Sequence, residues 1–512
     1  MLFATTAEAE FAAAVSRLAY CNPFVPERIE QERVALGTDF VDADLVWNVA
    51  QDWDGSRPNI HKLRDRVERM ASDARQRLVE KVDASPKELG LYEDVIIYLL
   101  YYRVQDAFRE SIAGEMALGQ QDLAVAYDSF VADCDRFLNV PGLKLAAWYE
   151  PEHLFALFFQ VRRAFFHIFN NIVGRSMPAA WLRAEIWHSI FTHDLRRYRR
   201  VLYDRMGDYT TLITGPSGTG KELVARAIAM ARYIPFEPKS KCFVSDYIQS
   251  FFPLNLSALS PTLIESELFG HRRGAFTGAL EDRAGWLETC PALGTVFLDE
   301  IGELDPTIQV KLLRVLQTRR FQRLGDTKTR QFRGKIIAAT NRDLDHEMSV
   351  GTFRKDFYYR LCSDLVSTPS LYDQLSDNPD ELPSLIHFIA RHVVDEKEAR
   401  ALTDEVATWV GNHLGRDYSW PGNFRELEQC VKNVLIRHEY RPPRTAAVPA
   451  GEQLARDLNA GQLTADELLR RYCTHVYSLT RNYEETARRL NLDRRTVKAK
   501  VNGDVDGTGR DL

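Results

Sequence analysis

The spacing of hydrophobic residues changes near residue 180, and each spacing predicts a different kind of fold. Before that point, the segments 91–112, 123–140 and 152–173 carry apolar residues at three- and four-residue intervals, the period of helices with one buried face. After it, the short β-rich run at 210–214 predicts a strand, and similar runs alternate with helical segments. The pattern predicts an all-α N-terminal domain over residues 1–184 and an α/β domain after it.

The helical segment 152–173 is dominated by phenylalanine. Its rings belong to Phe155, Phe158, Phe159, Phe165, Phe166 and Phe169. Such a stripe is most often part of a packed helical core, although it could also line a ligand pocket. The N-terminal domain has no short apolar strand ending in aspartate, which a phosphorylated receiver domain would require, and it resembles no sensor family. The sequence therefore leaves open which signal this domain senses, or whether it senses any.

A glycine-rich turn follows the predicted strand, and a helical segment, 223–231, follows the turn. The turn and the residue after it are Gly215, Pro216, Ser217, Gly218, Thr219, Gly220, Lys221 and Glu222. In this order of strand, turn and helix, backbone N–H groups hold phosphate oxygens and the lysine reaches the β- and γ-phosphates. We therefore predict an ATP site here. Glu222 departs from the general motif, in which serine or threonine meets Mg²⁺.

A third motif is an apolar run, 294–298, that ends in the two acids Asp299 and Glu300. In a buried parallel strand, both carboxylates would lie at the C-terminal end, where α/β sheets bind ligands. We expect Asp299 to hold Mg²⁺, directly or through water, and Glu300 to polarise the water that attacks the γ-phosphate. Two acids after a strand are common, so this prediction depends on their position downstream of Lys221.

A second glycine-rich segment lies between the phosphate-binding turn and the acids. It consists of Gly274, Ala275, Phe276, Thr277, Gly278 and Ala279. The glycines allow a sharp turn because they tolerate positive φ angles, and the turn would hold an aromatic ring and a hydroxyl at an exposed tip. Alone, the pattern is most often a surface turn with a stray aromatic residue. Its position between two nucleotide motifs favours a functional loop.

The C-terminal residues predict a linker, 441–462, followed by a small helical domain, 463–512. The linker begins with a run rich in proline, alanine and glycine, and residues 503–512 are expected to be disordered. The helices predicted in this domain span 463–480, 482–490 and 494–501. The last two, with the turn between them, resemble a Fis-type helix-turn-helix.

This helix-turn-helix carries positive charge in an acidic protein. Residues 481–500 include seven basic and three acidic side chains, whereas the chain has a formal net charge of −6. Arg494, Arg495, Thr496 and Lys498 would enter the major groove of DNA or contact its phosphates. The alternative is a solvated basic helix without a partner.

Length and composition predict a cytoplasmic protein of about three domains. The 512 residues are 45% hydrophobic and 27% charged, which is ordinary for a soluble globular protein. The seven cysteines lack the close pairs typical of zinc or redox sites, as expected in a reducing compartment. No signal peptide is predicted, and arginines interrupt the most apolar run, 154–172, so no membrane contact is expected.

The motifs together carry a family resemblance. The segment GAFTGA at 274–279, set between a phosphate-binding turn and an acidic strand end, resembles the polymerase-contacting loop of AAA+ activators of sigma-54 RNA polymerase. The resemblance covers residues 185–435. It implies an AAA+ P-loop ATPase fold with a parallel-sheet core at 185–370 and a helical lid at 371–440. Sigma-54 activators also carry glutamate at the position of Glu222.

The resemblance implies roles for polar residues that local pattern alone would not single out. These are the glutamate-switch residue Asn255, the sensor I residue Asn341, the arginine fingers Arg354 and Arg360, and the sensor II residue Arg425. Two segments depart from the family. Residues 368–374 stand where the family has an arginine-containing turn, and residues 232–252 form a longer stretch than usual, with no assigned role.

On this resemblance we expect a transcription activator that binds enhancer-like DNA sites and assembles as a homo-oligomeric ring, expected to be a hexamer. ATP hydrolysis with Mg²⁺ would move residues 274–279 against the sigma-54 RNA polymerase holoenzyme and drive open-complex formation. A ring is expected because arginine fingers complete a neighbour's site. Two alternatives are an AAA+ ATPase that remodels a different client protein, and a DNA-bound sensor whose ATPase is idle.

Overall fold

The computed structural model of the chain describes residues 2–44, 46, 58–113, 120–141, 145, 150–245, 250–415, 418–442, 454, 457–458, 461 and 463–502. The chain divides into two compact units, Met1–Ile436 and Arg437–Leu512. Most of the predicted linker at 441–462, and all of the predicted disordered end at 503–512, lie outside the described residues, so both stay predictions.

The first unit begins with a helical bundle, as the hydrophobic spacing predicts. The helices are α1 (Thr6–Tyr20), α2 (Glu27–Leu36), α3 (Pro58–Val79), α4 (Pro86–Ala113), α5 (Gln120–Leu138), α6 (Pro151–Asn171), α7 (Met177–Phe191) and the single turn α8 (Leu195–Arg197). At the centre of the bundle, the buried rings of Phe108 and Phe155 meet edge to face with centroids 4.8 Å apart. Helix α7 spans the predicted boundary at residue 184 and packs on the α/β core.

The α/β core of the first unit is built on a parallel sheet. The described strands are β1 (Thr211–Thr214), β2 (Phe236–Glu237), β3 (Cys242–Phe243), β4 (Phe251–Asn255), β5 (Thr295–Asp299), β6 (Arg320–Phe321), β7 (Arg330–Gln331), β8 (Lys335–Thr340) and β9 (Asp364–Ser367). Five of them run parallel in the order β4-β5-β8-β1-β9. Residues 296–298 are buried because helices cover both faces of the sheet. The carboxyl ends of β1, β4, β5 and β8 therefore share one edge, where such sheets bind ligands.

The remaining helices of this unit cover the sheet and form a lid, which confirms the predicted AAA+ P-loop class. They are α9 (Lys221–Met230), α10 (Pro261–Phe269), α11 (Trp286–Thr289), α12 (Pro306–Thr318), α13 (Leu344–Val350), α14 (Lys355–Leu361), α15 (Leu371–Asp377), α16 (Leu382–Ala390), α17 (Glu396–His413) and α18 (Asn423–Arg437). Helix α17 begins at Glu396. The Asp395 carboxylate accepts hydrogen bonds from the N–H groups of Lys397 and Glu398, each at 3.1 Å, and so caps the helix there.

The segment 232–252, which the sequence left without a role, contributes a hairpin to the N-terminal core. Strands β2 and β3 pair antiparallel, with Phe236 opposite Phe243. The Phe243 ring stacks on Phe159 of α6 at 4.1 Å between centroids, and the Phe236 ring packs on Tyr127 of α5 at 4.6 Å. The longer segment therefore joins the α/β core to the helical bundle through an aromatic contact.

The second unit contains the predicted helix-turn-helix. Its described helices after residue 463 are α19 (Ala465–Thr480), α20 (Tyr483–Leu490) and α21 (Arg494–Asn502). The Asn482 side chain caps α20 by accepting a hydrogen bond from the N–H of Glu484 at 2.8 Å, and Asn491 ends it with a φ of 51°. Ala487 and Val497 are buried where these helices pack, as their small and apolar side chains predict.

The described residues include no helix long and apolar enough to cross a membrane. All seven cysteines are free thiols. Burial raises the pKa of Cys134, Cys290 and Cys430 to about 12, so these side chains act as packing groups rather than nucleophiles.

Candidate nucleotide site and partner-contact loop

The nucleotide site is built on the loop at 215–221, between β1 and α9. Gly215 and Gly218 have φ angles of 144° and 80°. A Cβ on Gly215 would lie 2.1 Å from Oγ1 of Thr368, and a Cβ on Gly218 would lie 2.3 Å from the carbonyl oxygen of Gly422. Only glycine fits both positions. The loop runs directly into the N-terminus of α9. Backbone N–H groups of such a loop and of the first helical turn together bind phosphate.

Lys221, the first residue of α9, is buried against this loop. Its ammonium donates hydrogen bonds to the carbonyl oxygens of Gly215 at 3.0 Å and Pro216 at 3.1 Å. Burial lowers the pKa of Lys221, and the carboxylates of Glu300 and Asp299 oppose that shift. A bound phosphate would give the ammonium a partner of opposite charge in place of two neutral carbonyls, and such charge-assisted hydrogen bonds are the stronger kind.

The predicted acids and asparagines meet at the carboxyl edge of the sheet. Burial, and then the neighbouring Glu300, raise the pKa of Asp299. Glu300 has a φ of 57°, and its Oε2 accepts a hydrogen bond from the N–H of Asn341 at 3.3 Å. On the adjacent strand, Nδ2 of Asn255 lies 3.5 Å from Oδ2 of Asp299. Asn255 therefore contacts Asp299, whereas the switch role implied for it concerns Glu300, and that role stays a prediction.

Asn423, at the start of α18, is a lid residue that the sequence reasoning missed. Its Nδ2 donates to the carbonyl oxygen of Ser217 at 2.9 Å, and its Oδ1 accepts from the N–H of Leu371 at 2.8 Å. The φ of Asn423 is 52°, a conformation that asparagine tolerates better than most residues. Its place two residues before Arg425 was the only signal in the sequence. The side chain joins the lid to the phosphate loop.

The backbone and side chains after Asn423 add to this contact. The N–H of Phe424 donates to the carbonyl oxygen of Gly218 at 3.0 Å. Nη1 of Arg425, the predicted sensor II residue, donates to Oγ of Ser217 at 3.3 Å. The lid therefore touches the loop that would hold the nucleotide, so the angle between the lid and the core can depend on what that loop binds.

Thr368, at the end of β9, supports the loop from the sheet and was also missed. Its Oγ1 lies 2.6 Å from Oγ1 of Thr219 and donates to the carbonyl oxygen of Thr214 at 3.1 Å. Thr368 opens the segment 368–374, which contains no arginine and departs from the family pattern. In this chain the segment braces the phosphate loop, and it offers no guanidinium to a ligand.

The predicted arginine fingers are exposed; Arg354 directly precedes α14, and Arg360 lies on it. Arg354 forms a two-point ion pair with Asp356, with Nε–Oδ1 and Nη2–Oδ2 distances of 3.0 and 2.8 Å. Within the described part of the chain, neither Arg354 nor Arg360 bonds to the phosphate loop of its own subunit. Such a placement suits residues that act on a neighbouring subunit, and this role stays a prediction.

The surroundings of Asp299 and Glu300 suit Mg²⁺, a cation that usually keeps several water ligands. Across the described ranges, no group of three or more His, Cys, Asp or Glu side chains is placed to hold a metal ion. Mg²⁺ typically binds through one or two carboxylates together with substrate phosphates, which Asp299 beside the loop would allow. The Glu222 carboxylate is exposed and lies 3.4 Å from Nη2 of Arg226 on the same helix.

The second glycine-rich segment forms a tight exposed turn. The N–H of Gly274 donates to the carbonyl oxygen of Ala279 at 2.9 Å, and the N–H of Ala279 donates to that of Phe276 at 3.0 Å. Gly274 and Gly278 have φ angles of 80° and 102°, and a Cβ on either would meet no atom within 4 Å. Thr277 is exposed, as predicted. Here glycine serves the backbone conformation alone.

Phe276 differs from the expectation of a fully exposed ring, because it is half-buried. Its ring packs against that of His271, with centroids 5.0 Å apart and planes at 69°. Nδ1 of the buried His271 shares a hydrogen bond with Oγ of Ser266 at 2.8 Å. This contact removes part of the Phe276 ring from water. The turn thus presents the Thr277 hydroxyl beside a partly exposed ring.

Ion pairs fix the base of this turn. Nη1 of Arg272 lies 2.6 Å from Oδ2 of Asp282, and Nη1 of Arg283 lies 2.7 Å from Oε1 of Glu267. Leu280, directly after the motif, is 80% exposed. A leucine that exposed on an ordered turn is a candidate partner contact that the sequence did not single out, because nothing distinguished it from a core residue.

The predicted DNA-contacting residues lie together on α21. Arg494, Arg495, Thr496 and Lys498 are exposed, while Val497 between them is completely buried. Nη1 of Arg494 lies 3.1 Å from Oε1 of Glu484, and both side chains are mostly in solvent, where such a pair contributes little. The exposed face can therefore exchange this pair for another anion.

Comparison with known proteins gives a family match within the α/β core. Residues 192–366 match the family described as the Sigma-54 interaction domain. This range contains the phosphate loop, both acids, the turn at 274–279, Arg354 and Arg360. The lid residues Asn423 and Arg425 lie beyond it.

Two bacterial proteins are similar to part of this chain. The Nif-specific regulatory protein of Azotobacter vinelandii is 43% identical over 230 residues, which cover 45% of this chain and 40% of that protein. The transcriptional regulatory protein ZraR of Klebsiella oxytoca is 38% identical over 300 residues, 57% of this chain and 63% of ZraR. The chain thus spans less than two thirds of the length of these curated relatives.

One solved structure that the chain matches is that of NtrX from Brucella abortus in complex with ATP. It is 21% identical, covers 73% of this chain and 79% of that one, and has a TM-score of 0.39. The family match and the site geometry concern the same residues: 192–366 match the Sigma-54 interaction domain, and they contain the P-loop site and the exposed turn.

Proposed function

We propose that this protein is a sigma-54-dependent transcription activator, in which ATP hydrolysis by an oligomeric AAA+ ring remodels the sigma-54 RNA polymerase holoenzyme and drives open-complex formation. The observation that carries the proposal is the pairing, within the matched domain, of a P-loop site with an exposed turn of sequence GAFTGA. DNA and RNA polymerase as partners would place the protein in the cytoplasm.

Hydrolysis would use the residues gathered at the sheet edge. The loop at 215–221 would hold the phosphates, and Lys221 would contact the β- and γ-phosphates. Mg²⁺ at Asp299 would neutralise part of the phosphate charge. Glu300, oriented by the N–H of Asn341, would align the attacking water. Arginines from the next subunit would stabilise the charge that develops, and a ring, proposed to be a hexamer, supplies that neighbour to every site.

The chain offers a direct route from the acids to the exposed turn. Strand β4 ends at Asn255, whose amide contacts Asp299, and the chain continues into α10. Helix α10 carries Ser266, which bonds to His271, and the ring of His271 supports Phe276. A shift of the β4 end on hydrolysis would therefore reach the turn through one short helix and two side-chain contacts.

The second unit would provide the DNA contact. The exposed side chains of α21, Arg494, Arg495, Thr496 and Lys498, have the composition that binds phosphates and base edges. Binding at enhancer-like sites would raise the local concentration of the ring near the promoter.

The test of this function pairs two measurements on Thr277→Ala. One is phosphate release; the other is capture of sigma-54 holoenzyme on promoter DNA by the protein with ADP–aluminium fluoride. We expect turnover near the wild-type rate and no capture, because Thr277 lies in the turn and contacts no nucleotide motif. Thr329→Ala, another exposed threonine, should leave both unchanged. Normal capture by Thr277→Ala would contradict the proposal and favour remodelling of a different client.

A further inference from the structure

A cavity of about 380 Å³ lies within the N-terminal bundle, and the described residues that line it all precede β1. Its size is within the range of small-molecule sites. The phenylalanine side chains of α6 fall into two groups, one in the packed core and one at the cavity wall. Phe155 belongs to the packed core, whereas Phe158, Phe165 and Phe169 line the cavity with Trp187 of α7. The walls are therefore largely aromatic.

The polar part of the lining is strongly biased towards arginine. The guanidinium groups are those of Arg28, Arg64, Arg109, Arg162 and Arg199, and Asp106 is the carboxylate among the lining residues. Glu32, at 2.8 Å, neutralises the buried Arg28. Among the described residues, by contrast, no carboxylate forms an ion pair with Arg64 or Arg109, which come from α3 and α4. The cavity thus has an excess of positive charge beside its aromatic walls.

Tyr98 adds a polar atom that the bundle itself does not satisfy. It lines the cavity, and in the described chain its buried hydroxyl makes no hydrogen bond of normal geometry. Burial, and then the neighbouring Tyr102, raise the pKa of Tyr98, so this hydroxyl keeps its proton. Buried hydroxyls nearly always find a partner, and an oxygen atom of a ligand in the cavity would supply one here.

We propose that this cavity binds a small aromatic acid, with its ring or rings packed among the tyrosine, phenylalanine and tryptophan side chains and its anionic group at the arginines. Flat rings match the walls, and guanidinium groups recognise planar oxyanions such as carboxylates. The Tyr98 hydroxyl would donate to a ligand oxygen. This site lies outside the sigma-54 interaction domain, and it does not depend on the function proposed for that domain.

The position of α6 links the cavity to the nucleotide site. One face of α6 lines the cavity, and the other holds the C-terminal end of α9, the helix that starts at Lys221. Nη1 of the buried Arg163 donates to the carbonyl oxygen of Met230 at 2.7 Å, and Nε2 of Gln160 donates to that of Ala231 at 2.8 Å. A ligand that shifts α6 would therefore act on the phosphate-binding helix.

The full-length protein should be titrated with two fluorescent probes that share their rings. 8-Anilinonaphthalene-1-sulfonate carries an anionic group, and N-phenyl-1-naphthylamine lacks it. We expect one saturable site per chain for the sulfonate, and binding of the neutral probe about tenfold weaker or more, since one charge-assisted contact is missing. The double variant Arg64→Met/Arg109→Met should lose this preference, whereas Arg69→Met, an exposed arginine of α3 outside the cavity, should keep it.

A second variant tests the cavity independently, in case the double variant does not fold. Ala19→Phe places a ring in the cavity while leaving every arginine intact, and it should weaken both probes. Equal binding of the two probes to the wild-type protein, or unchanged binding by Ala19→Phe with a native circular dichroism spectrum, would overturn the proposal. Either result can occur with polymerase capture intact, so failure here is distinguishable from failure of the sigma-54 function.

Discussion

The phosphate loop and the turn at 274–279 are both glycine-rich, but their glycines meet different needs. In the phosphate loop, a Cβ on Gly215 or Gly218 would lie 2.1 or 2.3 Å from atoms of distant segments. In the turn, a Cβ on Gly274 or Gly278 would meet open space. The first region is therefore a packed junction of sheet, loop and lid, whereas the second is fixed by its own hydrogen bonds and by ion pairs at its base.

This difference predicts how the two regions respond to change. Residues at the junction affect nucleotide binding, hydrolysis and stability together, because lid and sheet atoms touch the same loop. Residues of the turn affect only what the turn contacts. The following variants test this difference in order of expected effect. The first concerns groups supplied by another subunit, and the last concerns the second unit alone.

The largest effect should come from the two exposed arginines Arg354, directly before α14, and Arg360, within it. Arg354→Ala should lower ATP turnover by about a thousandfold, the scale of an arginine finger, with nucleotide affinity nearly unchanged, and Arg360→Ala should act in the same direction. Mixing either variant with Glu300→Gln chains should partly restore turnover, since some interfaces regain both halves. Arg314→Ala, an exposed arginine of α12, is the matched control. If sedimentation shows normal rings but no mixing ratio of the two variants restores turnover, the neighbouring subunit does not supply the arginine.

Glu300→Gln should separate binding from hydrolysis within one site. The amide keeps the shape of the side chain but cannot act as a base towards water, so turnover should fall by about a hundredfold or more. ATP affinity should stay close to wild type, whereas Lys221→Ala should lose binding itself. Glu398→Gln, on the exposed surface of α17, should change neither. A wild-type rate for Glu300→Gln would show that another group orients the water.

The sequence predicted those parts of the site whose chemistry lies in a few consecutive residues. The phosphate loop and the acids Asp299 and Glu300 could be predicted because each motif is continuous in the chain, and their roles stay predictions. Asn423 and Thr368 were missed because their contacts with the loop join segments more than a hundred residues apart. Phe276 was expected in solvent, since no local pattern shows that His271 covers part of its ring.

The helical bundle shows the same limit. Periodicity predicted its helices, because a buried face repeats every three to four residues. It could not show that the Phe236–Phe243 hairpin closes onto α6, or that one part of the phenylalanine stripe packs while another lines a cavity. Both depend on which helices meet in space.

Matched glycine substitutions in the phosphate loop and in the turn should have effects of intermediate size. Gly218→Ala must move the lid or the loop and strain a positive φ, so we expect a loss of about 2–4 kcal/mol in the free energy of unfolding, with weaker ATP binding. Gly278→Ala meets no atom and should cost only about 1 kcal/mol of backbone strain, with ATP binding unchanged. Urea unfolding and nucleotide titration measure both. Equal losses in the two variants would show that the lid does not pack on the loop in solution.

The last prediction concerns α21, which resembles the turn in being open to solvent and whose point variant should have the smallest effect. Removing residues 463–512 should abolish DNA binding and spare ATP turnover, because the nucleotide motifs lie upstream. Arg494→Ala should be milder. Binding to a duplex of about 30 base pairs, followed against potassium chloride concentration, should show a log–log slope that is shallower by about one, since one phosphate contact is lost. Arg488→Ala, an exposed arginine on α20 paired with Glu485, controls for net charge. An unchanged slope for Arg494→Ala would mean that this side chain stays with Glu484 and that phosphate is held elsewhere on α21.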